Sequence, residues 1–508
     1  MRIFLEFIHS QTSLHRCRLS YAFRVFCAVY GHEPVFNPEE SQSSDVWISY
    51  SSDSTGPKAS RVLRLGTLYS LRPLTDPAPV PTAFGDHGEQ TVLFYAGSAG
   101  NQPDWLAEIF EWISCADEYS CQHDELRCVP FSRSYVGRHN LDVQTPYAAV
   151  AMRFLQLALC AIVPAADSAP VCPEQPAHHF VVPTHDVDYL PLSWLGSLRR
   201  LAKNVFVSLF VLKSPALAAK QSGRVVALAL GGDNPLDQAD KLAEREFKHG
   251  IGATFFFLTQ REHRRDANYE ITDAKVLGLM RRLTQQGMEI GVHGSYTSLD
   301  QPHRLPREFD DLRKQGFQPV GNRQHWLRFT LDRLIPAVEH SGVLYDTSLG
   351  WPDRIGFRGG ACFAFPPYNF AQERPATFLE IPLAVMDFCL LNGKPDHASP
   401  YDRLADLLAT SRRFGWGGIS VLWHPNAFGG GQLPDTIDRA FWQMVEQKAQ
   451  IQDRLLGAEV FVQKIRQRYE AAGLLPPNVV SPASPLENDK TREEPIQHAV
   501  RSERLSAV

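Results

Sequence analysis

The sequence predicts an α/β protein whose central part forms a distorted (β/α) barrel of parallel strands, preceded by a smaller α+β domain. Three observations predict it. Between His178 and Leu474, short β-branched or aromatic runs alternate with amphipathic helical patterns, and strands separated by crossover helices pair in parallel. There are about seven such units, which suits a barrel better than an open sheet. Clusters of polar residues also follow several of the apolar runs directly, where a barrel of this kind carries its site.

The strand candidates are Phe180–Pro183, Ala253–Leu258, Met288–Val292, Pro319–Gly321, Val343–Tyr345, Phe378–Ile381 and Ile419–Trp423. Between them, Leu236–His249 has helical spacing and stops at Gly250. Asp273–Gln286 stops at Gly287, each glycine supplying a left-handed C-terminal residue. A further helix is expected over Thr330–His340. Ahead of this zone, Val46–Tyr50 and Thr91–Tyr95 read as strands, and Tyr21–Tyr30 and Asp104–Ala116 as helices.

At 508 residues the chain exceeds one ordinary domain. We divide it into an N-terminal domain (1–165), an Ala- and Pro-rich linker (166–177), a central domain (178–474) and a polar, Pro-rich tail (475–508) expected to be disordered. A net charge of -5 with 44% apolar and 21% charged residues gives no bulk electrostatic reason to expect nucleic acid or an anionic membrane as partner. The nine cysteines are scattered. The densest group, Cys115, Cys121 and Cys128, reads as free thiols in a reducing compartment rather than a zinc site.

The N-terminus has no continuous apolar core and no cleavage signature, so it does not read as a signal peptide. Phe154–Pro164 and Val205–Leu212 are too short to span a bilayer. The first reads as a buried helix. The second follows Arg199, Arg200 and Lys203, and a surface helix touching a membrane is the less favoured reading. The expected setting is cytoplasmic.

Four clusters carry chemistry. Thr184-His185-Asp186-Val187-Asp188 places two carboxylates at alternate positions at a strand's mouth, so both point the same way if the strand persists. Gly291-Val292-His293-Gly294-Ser295-Tyr296 offers an imidazole, a ligand for borderline metals such as zinc. Asn322-Arg323-Gln324-His325-Trp326-Leu327-Arg328 offers an arginine that orients carboxylates and a second imidazole. Trp423-His424-Pro425-Asn426 offers a proton donor. Each alone reads as an ordinary loop; together they share one topology, a strand followed by polar residues.

The order of these clusters resembles the polysaccharide deacetylase family, the NodB-homology domain or carbohydrate esterase family 4. The resemblance covers the central domain, and five elements fall in the family's order: THDVD, GVHGSY, NRQHWL, Tyr345-Asp346-Thr347-Ser348-Leu349 and LWHPN. The region before residue 165 is similar to an uncharacterised domain found ahead of long bacterial members. The resemblance implies Asp186 as base, Asp188 and His293 as ligands of a divalent metal, Zn2+ being the expected ion, and Arg323 as the partner of Asp186. It implies His424 as acid, oriented by Asp346 or Asp387. The family's second metal-binding His stands four residues after the first; here that position is Thr297. A neutral hydroxyl is a poor zinc ligand, and His325 is the replacement candidate. The third motif also lacks the family's usual proline.

The expected activity is hydrolysis of acetyl groups from an acetylated poly- or oligosaccharide. A C–N hydrolase of small cyclic amides, as in the allantoinase-like branch, and a catalytically silent glycan-binding domain are the alternatives. Arg358 is a candidate for a sugar carboxylate or phosphate, and Trp326 and Tyr296 for contact with the carbohydrate. Trp351, Phe365, Tyr368 and Trp423 are further aromatics, most of them expected to be core.

Overall fold

Strand and helix alternate from the first residues. In the computed structural model β1 (Arg2–Glu6), β2 (Glu33–Val35), β3 (Val46–Ser49) and β4 (Val62–Arg64) form a parallel sheet in the order β2-β1-β3-β4. β5 (Thr82–Asp86) and β6 (Glu89–Leu93) form an antiparallel pair. The helix Ser13–Tyr30 contains the expected Tyr21–Tyr30, and the helix Trp105–Ile113 lies within the expected Asp104–Ala116. Thr12 caps the first by accepting from the His15 N–H, and Gly31 ends it in the left-handed conformation at φ 70°. The apolar stretch from Phe154 is the second half of Tyr147–Ala161, with Phe154, Leu155 and Leu159 buried.

The structure describes residues 1–7, 12–36, 46–50, 61–65, 74, 78–86, 89–94, 103–163, 179–211, 213–391, 399–414, 418–430, 433–447 and 453–477. The expected linker, and the tail beyond residue 477, lie outside them.

The central sheet contains β7 (His179–Val187), β8 (Thr254–Phe257), β9 (Glu289–Gly294), β10 (Gly321–Gln324) and β11 (Tyr345–Asp346). After a short antiparallel pair, β12 (Tyr368–Asn369) and β13 (Arg374–Pro375), come β14 (Leu379–Glu380), β15 (Leu383–Met386), β16 (Ile419–Leu422) and β17 (Asp453–Leu455). The order is β14-β11-β10-β9-β8-β7-β16-β15, with β17 paired to the start of β7 and every pairing parallel. The two outermost strands of that row, β14 and β15, are separated by only Ile381 and Pro382. A flat row of this width would put them roughly 34 Å apart at ~4.8 Å per strand, whereas that much chain reaches about 11 Å. The sheet therefore has to curl, and it forms the α/β half-barrel the sequence predicts.

The row has one strand more than expected because β15 follows β14 without a helix. Pro382 alone marks the break in the sequence, with apolar residues continuing beyond it. β17, with Asp453 and Arg454, carries no strand pattern of its own. Phe255, Phe256, Phe257, Val181, Val182 and Val421 are fully buried, as in a parallel sheet covered on both faces. The helices Ala239–Lys248, Ala274–Gln285 and Leu331–Ser341 fall within a few residues of their expected limits.

Met1–Leu475 is one compact unit with a shared core. Arg18 donates to Glu373 at 2.7 and 3.0 Å, and the Tyr21 hydroxyl donates to the Pro366 carbonyl at 2.7 Å. Cys115, Cys121 and Cys128 are free thiols. Cys160 is disulfide-bonded. No helix among the described residues is long and apolar enough to cross a membrane.

Candidate metal centre and active site

The site is assembled by strand alternation. Along β7, Thr184 and Asp186 share one face with Asp188 just beyond the strand, and His185 takes the other. His185 is fully buried between the Trp423 carbonyl (2.7 Å) and Glu246 (2.9 Å), and has a packing role. On β9, His293 lies in register with Arg323 of β10. The turn that follows β10, His325–Leu327, contains Trp326 at φ 62°, and His325 opens it.

The tautomers of the two imidazoles are fixed by carbonyls, which only accept. His293 Nδ1 donates to the Arg323 carbonyl at 2.8 Å, and His325 Nε2 donates to the Arg265 carbonyl at 2.9 Å. The remaining nitrogens, His293 Nε2 and His325 Nδ1, face each other at 2.9 Å. If both rings are neutral, two lone pairs meet there, an arrangement that calls for a cation between them. Asp188 Oδ1 completes the group at 3.3 Å from His293 Nε2 and 3.5 Å from His325 Nδ1. It has no hydrogen-bond partner although it is buried. These three ligand atoms lie within 4.8 Å of one another. One carboxylate and two imidazoles, each imidazole held from behind by a carbonyl, fit a divalent metal of the zinc type.

Burial opposes charge on His293, but Asp186 and Asp188 outweigh it and raise its pKa. The pKa of His325 is lowered, chiefly by burial. For Asp188, burial is outweighed by His325 and His293, which bring its carboxyl below the usual range.

Asp186 stands beside this group. Its Oδ2 is 3.5 Å from His293 Nε2 and 3.7 Å from Arg323 Nη1, and its Oδ1 is buried without a partner. Arg323 is fully buried and donates to Thr347 Oγ1 (2.8 Å) and Thr184 Oγ1 (3.1 Å). Its separation from Asp186 is longer than a hydrogen bond, so the expected close pair is an ion pair at slightly longer range.

Across the cavity, His424 is gripped by Asp387. Its backbone N–H donates to Asp387 Oδ2 at 2.8 Å, and Nδ1 lies 3.0 Å from Oδ1. Nε2 points back towards Asp188 Oδ2 at 3.6 Å. Burial opposes the charge on His424, but Asp387 outweighs it and its pKa is pushed up to about 10. Of the two carboxylates expected as its orienter, the structure brings Asp387. Asp346 is engaged elsewhere, accepting from Asn322 Nδ2 (2.6 Å), the Ser348 N–H (2.8 Å) and Ser348 Oγ (2.9 Å). It stands beside Glu380, whose carboxyl is raised by burial and by Asp346.

A cavity of about 410 Å³ contains Asp186, Asp188, His293, His325 and His424 in its wall, together with Arg200, Trp326, Met386 and Phe388. Trp326 is 51% exposed, so an indole face is available at the rim. Tyr296 does not line this cavity; its hydroxyl is bonded to Arg265 and its ring stacks on His263. Arg358 is also absent from it. Its side chain is 2% exposed and paired with Glu118 at 2.6 and 2.8 Å, which ties the N-terminal region to the loop after β11. Trp351, Phe365, Tyr368 and Trp423 are core. Thr297 accepts from Arg304 Nη1 at 2.5 Å. Arg358→Ala is expected to destabilise the fold by about 3–5 kcal/mol by leaving Glu118 buried and unpaired; denaturant unfolding measures this.

Arg200, Met386, Phe388 and the Arg265 carbonyl were not legible as site components. Met386 and Phe388 lie on β15 and the turn after it, and a backbone carbonyl leaves no trace in sequence.

No family model matches the chain, and no curated protein matches it. Solved structures do show likeness. The 4-α-glucanotransferase of Thermococcus litoralis is 14% identical with a TM-score of 0.35, over 56% of this chain and 40% of that one. The Bc1960 peptidoglycan N-acetylglucosamine deacetylase is 14% identical with a TM-score of 0.30, over 57% of this chain and 91% of that one. PuuE allantoinase is 16% identical with a TM-score of 0.34, over 46% and 73%. The chain thus spans well under half of the glucanotransferase. Likenesses at these scores assign no activity, and the functional reading rests on the site itself.

Proposed function

We propose that the chain is a metal-dependent hydrolase of the polysaccharide deacetylase family that removes acetyl groups from a glycan. The observation that carries this is the convergence of His293 Nε2, His325 Nδ1 and the unpartnered Asp188 Oδ1 on one point, with an uncommitted carboxylate on one side and a carboxylate-held imidazole on the other. The five sequence elements in family order support it independently.

Asp188, His293 and His325 would hold the metal. When bound, that ion supplies Lewis acidity towards a water and an acyl oxygen. The chain's own residues do the proton work. Asp186 accepts a proton from the attacking water at its free Oδ1, with Arg323 Nη1 3.7 Å from its Oδ2. His424 holds a proton on Nε2 and delivers it to the departing amine or alkoxide. Asp387 fixes the ring so that this nitrogen faces the cavity. Trp326 offers a flat apolar face to a sugar ring.

The test is acetate release from N- and O-acetylated oligosaccharides by zinc-supplemented protein. Release supports the reading; turnover confined to small cyclic amides contradicts it. A further expectation concerns Asp387. A proton donor must be protonated, so kcat/KM falls as pH rises through the His424 pKa. Asp387→Asn removes the main influence raising that pKa. The alkaline limb is expected to move to lower pH by about one unit or more, which a pH–rate profile measures.

A further inference from the structure

The whole chain carries a net charge of -5, but the segment between β7 and β8 is different. Residues 189–232 contain Arg199, Arg200, Lys203, Lys213, Lys220 and Arg224 and no Asp or Glu. The segment is therefore +6 and the rest of the chain -11. It folds as the helix Trp194–Phe206, a π-helical turn Val207–Val211 and the helix Pro215–Ala229, the two helices packed on each other. Leu201 and Leu228 are buried in a small core of its own with Leu236.

Its outer surface is unusually apolar. Of twelve large hydrophobic side chains exposed among the described residues, seven belong to this segment: Trp194, Leu195, Phe206, Leu209, Phe210, Val226 and Leu230. Three gather at the turn, where Phe206 is 58%, Leu209 43% and Phe210 61% exposed, with the two phenyl rings 4.6 Å apart. Lys203 and Lys213 flank them, both exposed. Lys220 and Arg224 face Asp435 further along the second helix.

We propose that the tip of this hairpin, Phe206, Leu209 and Phe210 with Lys203 and Lys213, inserts into the surface of an anionic lipid bilayer. Aromatic and aliphatic side chains ringed by lysine suit the boundary between acyl chains and acidic headgroups. The basic segment also disfavours a second copy as occupant, since two such tips would bring like charges together. The charge of the whole chain concealed this, because the acidic remainder outweighs the segment. The proposal does not depend on the hydrolase reading.

The test is flotation of the full chain with vesicles of phosphatidylcholine alone or mixed with phosphatidylglycerol. Binding is expected to the mixed vesicles, to weaken with salt, and to be far lower on phosphatidylcholine. Phe206→Ser with Phe210→Ser, and separately Lys203→Glu with Lys213→Glu, are each expected to reduce partitioning by about tenfold or more. Because none of the four belongs to the hairpin core, thermal melting should be unchanged. Failure to float with the mixed vesicles overturns the proposal, as does equal binding to both vesicle types. A dimer that the phenylalanine changes convert to monomer would overturn it in favour of self-association.

Discussion

Asp186→Asn is expected to lower turnover by about 10²–10⁴-fold while the protein still binds its metal. The substitution keeps the shape of the side chain and removes its ability to accept a proton as a base. Asp186 is outside the group of three converging ligand atoms, so metal affinity should stay close to that of the parent protein. Its Oδ1 has no partner and its Oδ2 sits 3.7 Å from Arg323, so the change is expected to break no hydrogen bond on which the fold depends. Single-turnover acetate release and metal analysis on the same sample separate the two effects. Retained turnover in a metal-loaded sample would remove Asp186 as base, and lost metal would move it into the ligand set.

His325→Ala is expected to weaken metal affinity by more than about 100-fold, since loss of a residue that only supports a ligand already costs about 10–100-fold. The substitution removes Nδ1, which stands 2.9 Å from His293 Nε2 and 3.5 Å from Asp188 Oδ1. Thr297→Ala should leave affinity unchanged, because Thr297 is occupied by Arg304. Competition against a chromogenic chelator measures both variants. A loss in Thr297→Ala with affinity retained in His325→Ala would show that residue 297 still belongs to the metal site and that His325 does not replace it.

The sequence carried those parts of the fold and site that local pattern encodes. Strands such as Ala253–Leu258 and Ile419–Trp423 were recognisable because a buried parallel strand is a continuous apolar run between punctuating residues. Asp186, Asp188, His293 and His424 stood out because each follows such a run, whereas His325 was nominated as the substitute for the histidine missing at Thr297. Relations between distant segments were not. The choice of Asp387 over Asp346 as the partner of His424 depends on β15, which Pro382 alone separates from β14 in the sequence. Arg358 looked available in a Gly-rich loop, yet Glu118, 240 residues earlier, buries it. Val205–Leu212 was visible as an apolar stretch, but the exposure of Phe206, Leu209 and Phe210 within it depends on how the two helices pack.

The most direct measurement is anomalous diffraction from crystals of the zinc-loaded protein. One strong peak is expected, bonded to a carboxylate oxygen of Asp188, to His293 Nε2 and to His325 Nδ1, with Asp186 beside it and unbonded. A zinc ion held without His325, or no peak among these residues at full zinc loading, would contradict it.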